Sequence, residues 1–365
     1  MGAARHFSRT YVEARDKFLG ATRVCGIAVK THSLPDLRGA DGESLAMDVA
    51  RLGDAGAPGM LMLWSATHGI EGYCGSGCQT GLLNDDAFIG AAAAAGVAVL
   101  FVHAVNPHGF SFGRRVNEDN TDLNRNFREF AAPAPVNAAY AEIHRLLLPA
   151  TWPPDAADER ELGAWIAAHG EPAYQAAVSG GQYAFPDGLF YGGTGPSWSN
   201  RTLRSVLRVH AARRMSLGLI DFHTGLGPRG HGEKIFNGAN VAADIARARS
   251  WWGADVTSFH DGSSTSAPLV GVNYNAVYDE CPGVEYAGIA LEFGTLPLRA
   301  TLQALRADHW RHNHPEAPAA LATAIRREVR EAFYVEADDW KEIVYAQARV
   351  AALAGIARLA RSMSG

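Results

Sequence analysis

The chain has 365 residues, 47% of them hydrophobic and 19% charged, with a formal net charge of -5. That length and apolar content suffice for a large buried core, and the lack of a basic surplus excludes the footprint of a nucleic-acid binder. Met1–Leu19 lacks the apolar core of a signal peptide, no later segment reads as apolar for long enough to span a bilayer, and four cysteines are too few for a disulfide scaffold. A cytoplasmic protein with neither nucleic-acid nor membrane partners is expected.

The first strand-like run is Val24–Val29, followed by Gly59–Trp64; helical spacing over Asp86–Ala95 then precedes an apolar run at Gly96–Val102. Helical spacing returns at Ala138–Leu148 and Glu159–Val178. After a loop rich in Gly, Pro, Tyr and Trp (Gly180–Asn200) it returns again at Arg201–Met215, with Ser199 or Asn200 as N-cap. Strand Leu217–Phe222, helix Ala242–Trp252 and strand Ala287–Phe293 follow. Helices Ala317–Phe333 and Trp340–Arg361 end the series, the second capped by Asp338 or Asp339. The apolar runs are near-continuous, as strands buried on both faces are. The alternation predicts an α/β fold: one domain over residues 1–365, with a central mixed, mostly parallel twisted sheet flanked by helices, an insertion around 149–200 and C-terminal helices over 317–361.

In open α/β sheets the ligand crevice lies beyond the carboxyl ends of the strands, and His68, His223 and Glu292 each follow or close an apolar run. Hydrolytic zinc commonly takes three protein ligands and leaves a fourth position to water; two imidazoles and one carboxylate form a known set. His68 and Glu71 stand at H-x-x-E spacing, with Gly69 and Gly72 permitting a tight turn, and His223 supplies a third ligand from another strand. Cys74 and Cys78 read as free thiols, since no second cysteine pair completes a site. His309, His312 and His314 beside Glu316 read as an exposed helix end or loop, and Gly75, Gly77 and Gly81 lack the spacing of a nucleotide loop. The aromatic residues Tyr183, Phe185, Phe190, Tyr191 and Trp198 either line a cleft or pack onto the domain.

His68 and Glu71, an arginine at 114 or 115, Asp122-Leu123-Asn124-Arg125-Asn126, His223 and Glu292 occur in the order seen in the M14 family of zinc metallocarboxypeptidases, which residues Gly59 to Thr295 resemble. A bacterial branch of that family is the most similar. The aspartoacylase and succinylglutamate desuccinylase group shares H-x-x-E, D-L-N-R and the late glutamate. The resemblance implies a zinc carboxypeptidase-like fold with one zinc ion on His68, Glu71 and His223, and Glu292 as general base for the attacking water. Asn124 and Arg125 would grip the substrate carboxylate, for which a guanidinium fork is suited. Arg114 or Arg115 would polarise the scissile carbonyl, and Asp122 would fix the tautomer of a zinc histidine. Asp221 is a weaker candidate for similar support, and a turn residue at the strand end is the favoured account. A tyrosine that closes over substrate is implied before Glu292; Tyr274 is preferred to Tyr278.

The expected activity is hydrolysis of an amide next to a free carboxylate, on a peptide or a small acyl amino acid. N-acyl amino acid deacylation is the alternative, and a metal-free carboxylate-binding protein is the reading from another class. No residue marks the floor of a side-chain pocket or an oligomer contact.

Overall fold

The computed structural model describes residues 2–362. In chain order its elements are α1 (Tyr11–Val24), β1 (Val29–Arg38), β2 (Ser44–Leu52), β3 (Gly59–Trp64), α2 (Gly72–Leu83), α3 (Asp86–Ala94), β4 (Ala98–His103), α4 (Pro107–Phe112), α5 (Ala138–Leu147) and α6 (Ala156–His169). There follow α7 (Glu171–Ser179), α8 (Trp198–His210), β5 (Ser216–Arg229), β6 (Gly232–Phe236), α9 (Ala242–Trp252), α10 (Tyr274–Glu280), β7 (Glu285–Gly294), α11 (Leu298–Asn313), α12 (Ala319–Phe333) and α13 (Asp338–Ser362).

The seven strands form one mixed sheet in the order β1-β2-β4-β3-β5-β7-β6. β4, β3, β5 and β7 run parallel, while β1, β2 and β6 pair antiparallel at the two sides. Residues alternate between the faces: Leu61, Leu63, Ile220 and Phe222 join one core with α1, α2 and α13, whereas Met60, Met62, Leu217 and Leu219 join another with α8 and α10. Between β4 and β5 the order reverses around β3, which creates a crevice at the carboxyl end of β3.

The sheet is mixed and helix-flanked as expected, with several local differences. Val24–Val29 is not a strand: Val24 ends α1 largely exposed, and the left-handed Gly26 (φ 65°) turns the chain into β1. Glu159–Val178 divides into α6 and α7 at Gly170, whose positive φ (87°) suits glycine. The cap of α8 is Ser197, whose hydroxyl accepts from the Asn200 N–H. By length and composition α13 is long and apolar enough to cross a bilayer, contrary to the expectation for any segment. Its Trp340, Val344, Ala348, Ala352 and Leu359 are instead wholly buried in the core.

Two core histidines make the fold acid-sensitive. His103, stacked on Phe18 with ring centroids 4.4 Å apart, and His309, inside α11, are buried, and burial pushes each imidazole down to about 4. Unfolding returns both to the ordinary value of 6.5, so at these two sites the unfolded chain binds more protons below pH 6.5 and their contribution to stability falls from there towards pH 4. The expected loss between pH 7.5 and 5 is about 2 kcal/mol for each histidine. Urea titrations at the two pH values on the unaltered protein and on His103→Gln check it: the variant is expected to lose about 2 kcal/mol less on acidification, and an equal loss in both would contradict it.

Candidate metal centre

His68 leaves the end of β3 in extended backbone and is followed by a 3-10 turn, Gly69–Glu71, that runs into α2. A Cβ on Gly69 would lie 2.0 Å from the Gly109 carbonyl carbon, so only glycine fits. This close approach lets the Gly69 and Ile70 N–H groups donate to the carbonyls of Arg115 (3.0 Å) and Arg114 (2.8 Å), which ties the arginine pair to the H-x-x-E turn. On the other side of β3, His223 of β5 and Glu292 of β7 are register partners on neighbouring parallel strands.

The three segments converge. His68 Nδ1 lies 2.9 Å from Glu71 Oε1, His223 Nδ1 2.9 Å from Glu71 Oε2, and the two Nδ1 atoms are 3.2 Å apart. One ligand atom from each of the three residues fits within 4.8 Å of the others. Each ring turns its opposite nitrogen to a buried acid: His223 Nε2 is 2.9 Å from Asp221, and His68 Nε2 is 3.3 Å from Asp122. Asp221 placed there favours the His223 tautomer whose Nδ1 lone pair faces inward. Two imidazoles and a carboxylate closing on one point could hold a metal ion.

Asp221 is wholly buried and is no turn residue. It accepts from the Thr67 hydroxyl (3.0 Å) and from Asn273 Nδ2 (2.6 Å), and the Asn273 backbone N–H in turn donates to Asn124 Oδ1 (3.2 Å). Asn273, which sequence reasoning passed over, thus links the support of His223 to the Asn124-Arg125 pair. Asp122 caps the turn Leu123–Arg125, accepting from the Asn124 N–H (2.9 Å) and from Arg115 Nε (2.9 Å).

The two adjacent arginines point apart. Arg115 lines the cleft and spans the ligand set: Nη1 donates to Glu71 (3.1 Å) and Nη2 lies 2.8 Å from His68 Nε2. Arg114 is turned away, donating to Asp308 (2.8 Å) and Asn120 (3.2 Å) beneath α11. His309, expected at an exposed helix end, is buried beside that ion pair. Tyr274 is not brought to the cleft; it packs in a small cluster with Ile235, Phe259 and Val272, its ring edge-on to Tyr278. The loop after α7 contributes Phe190, over which both Arg115 and Arg125 stack at 4.9 and 5.3 Å.

Arg125 lines the cleft without an acid of its own. Among the described residues it forms no ion pair; its guanidinium donates to the carbonyls of Asn124 (2.8 Å) and Ser179, and Nε has no partner. Burial lowers its pKa. A buried cation in this state is stabilised by an incoming anion. Against their burial, Glu71 is held low by His68 and His223, Asp122 by Arg115 and His68, and His223 is held high by Asp221 and Glu71. Glu292 goes the other way: burial, and then the charge of Glu71, push its carboxyl up to about 8, although it accepts from the Leu226 N–H (3.1 Å). The cleft encloses about 840 Å³, its open mouth included.

The seven-stranded mixed sheet with its flanking helices has the α/β fold of the metallocarboxypeptidases. The structure of thrombin-activatable fibrinolysis inhibitor is similar with a TM-score of 0.53 at 12% identity, over 97% of this chain and 74% of that one. The bovine protein of the same name, in complex with tick carboxypeptidase inhibitor, gives 0.50 at 13% identity, over 98% and 99%. A metallo-carboxypeptidase from Burkholderia cenocepacia gives 0.45 at 12%, over 96% and 69%. No curated protein matches the sequence. Residues 7–347 match the family described as "Protein of unknown function (DUF2817)", and the chain belongs to that family.

Proposed function

We propose that the protein is a zinc-dependent hydrolase that cleaves an amide bond next to a free carboxylate, in the manner of a carboxypeptidase. The observation that carries this reading is the unpaired, buried Arg125 in the same cleft as the His68-Glu71-His223 cluster and Glu292. A zinc ion on those three ligands would supply Lewis acidity for water and for the scissile carbonyl. Arg125 and Asn124 bind the substrate carboxylate and so fix the amide over Glu292. Glu292 takes a proton from the attacking water and returns it to the leaving amine; its burial and the nearness of Glu71 raise its basicity. Arg115, already between Glu71 and Asp122, stabilises negative charge that develops on the carbonyl oxygen. Tyr274, buried in its cluster, is given no part in these steps.

Deacylation of N-acyl amino acids uses the same groups and differs in how much of the substrate lies on the acyl side. A panel of acylated dipeptides with free or amidated C-termini, beside simple N-acyl amino acids, separates the two. The free acids are expected to exceed the amides in kcat/KM by about 100-fold, the worth of a charge-assisted pair in a buried site. Arg125→Ala is expected to erase that difference. Equal turnover of acids and amides by the unaltered protein would remove the carboxylate clamp from the account.

A further inference from the structure

We infer that the cleft receives, beside the carboxylate held by Arg125, an uncharged apolar side chain, and that Ala290 sets this preference. The inference rests on the amide-hydrolase reading and names the class of residue that reading would release.

Ile235, Phe259, Leu269, Val272 and Ala290 line the cleft and belong to a satellite apolar cluster separate from the two main cores. Ala290 stands two residues before Glu292 on β7, hence on the same face of the strand and roughly 7 Å along it. Its register partner is Ile235 of β6. Between Tyr286 and Gly294, Ala290 is the one residue of β7 that is not buried. A methyl group at this position leaves a depression beside the base that any larger side chain would fill.

The depression is fixed relative to the clamp. Gly271 (φ 78°) comes so close to Arg125 that a Cβ would lie 2.4 Å from the Arg125 carbonyl oxygen, and the Asn273 N–H donates to Asn124. Val272, between them, is therefore held beside the residues that would bind the carboxylate. An apolar group attached to the carbon that bears that carboxylate would meet Val272, Ile235 and Phe259, which line the same cleft.

Charge argues the same way. Among the described residues that line the cleft, Glu292 is the only carboxylate. Glu233, the register partner of Glu292 on β6, does not line it; its carboxylate accepts from the Thr257 hydroxyl (2.6 Å) and from the N–H (3.2 Å) and hydroxyl of Thr265. A lysine or arginine side chain in the depression would lose its hydration without gaining a counter-charge, and an acidic one would meet Ile235, Phe259 and Leu269.

The test uses the zinc-loaded protein and acylated dipeptides ending in Phe, Leu, Lys or Glu, with the binding of N-acetylphenylalanine and N-acetyllysine followed by calorimetry. Phe and Leu are expected to exceed Lys and Glu by about 100-fold in kcat/KM, a discrimination within reach of a single pocket. Ala290→Asp should lower the Phe-to-Lys ratio at least about tenfold, and Ala290→Val, a gentler change, should weaken Phe more than a smaller residue. Lys or Glu turned over within tenfold of Phe, or ratios unchanged in both variants, would overturn the inference. If no free acid in the series is cleaved, the hydrolase reading fails by itself. In that case N-acetylphenylalanine binding at least tenfold tighter than N-acetyllysine still upholds the pocket, and equal binding overturns it.

Discussion

Glu292→Gln is expected to lower kcat by about 10³-fold or more while leaving bound metal and thermal unfolding unchanged. The exchange is nearly isosteric, and Gln can still accept from the Leu226 N–H through its amide oxygen, so the 226 turn and the β5-β7 register are kept. It removes the capacity to take a proton. Burial and the charge of Glu71 set the carboxyl near 8, well above an ordinary glutamate, which is what a base near neutral pH requires. Positive charge held against Glu71 would bring that value down and so favour the ionised form that takes the proton. Activity and metal content measured on the same preparation check the prediction. Undiminished turnover would exclude Glu292 from the proton transfers; loss of metal with activity would make it a ligand instead.

Replacing a ligand has a different signature. His223→Ala removes the imidazole that faces Glu71 and leaves Asp221 and Glu71 without it, so metal binding and activity are expected to be lost together, affinity by more than about 100-fold. Asp221→Asn is the subtler variant. It keeps the hydrogen bond from Thr67 or Asn273 but presents no negative charge to His223 Nε2, and a loss of 10- to 100-fold in metal affinity is expected. Equilibrium competition with a zinc chelator reads both. Unchanged affinity in Asp221→Asn would return that residue to a purely structural part.

The central strands were legible because β3, β5 and β7 are near-continuous apolar runs, and the residues that follow them stand out against that background. The three candidate ligands came from this contrast and from their order. Other parts were hidden for identifiable reasons. α2 carries Gly72, Gly75, Gly77 and Gly81, which weaken any helical pattern. They are there because neighbours approach closely: a Cβ on Gly77 would meet the Phe7 ring at 2.4 Å, and one on Gly81 the Tyr345 ring at 2.3 Å. β1 is a largely exposed edge strand with a proline, and β6 is only five residues long, so neither shows buried-strand patterning. Asp221 was discounted because a strand-end acid is usually a turn residue; its alternation with His223, two positions on, was the available signal. The spacing before Asp122 could not choose between Arg114 and Arg115, because the choice depends on Asp308, far away in sequence on α11. Tyr274 was preferred by position alone, and nothing local distinguishes a tyrosine that swings over a cleft from one packed beneath it.

The central claim is that His68, Glu71 and His223 enclose one divalent ion. Metal analysis of the protein purified without chelators measures it directly. The account predicts one zinc per chain in the unaltered protein and less than about a tenth of that in His68→Ala, Glu71→Ala and His223→Ala, each confirmed as folded. A metal-free unaltered protein that cannot be loaded with zinc, or variants that hold as much as their parent, would contradict it.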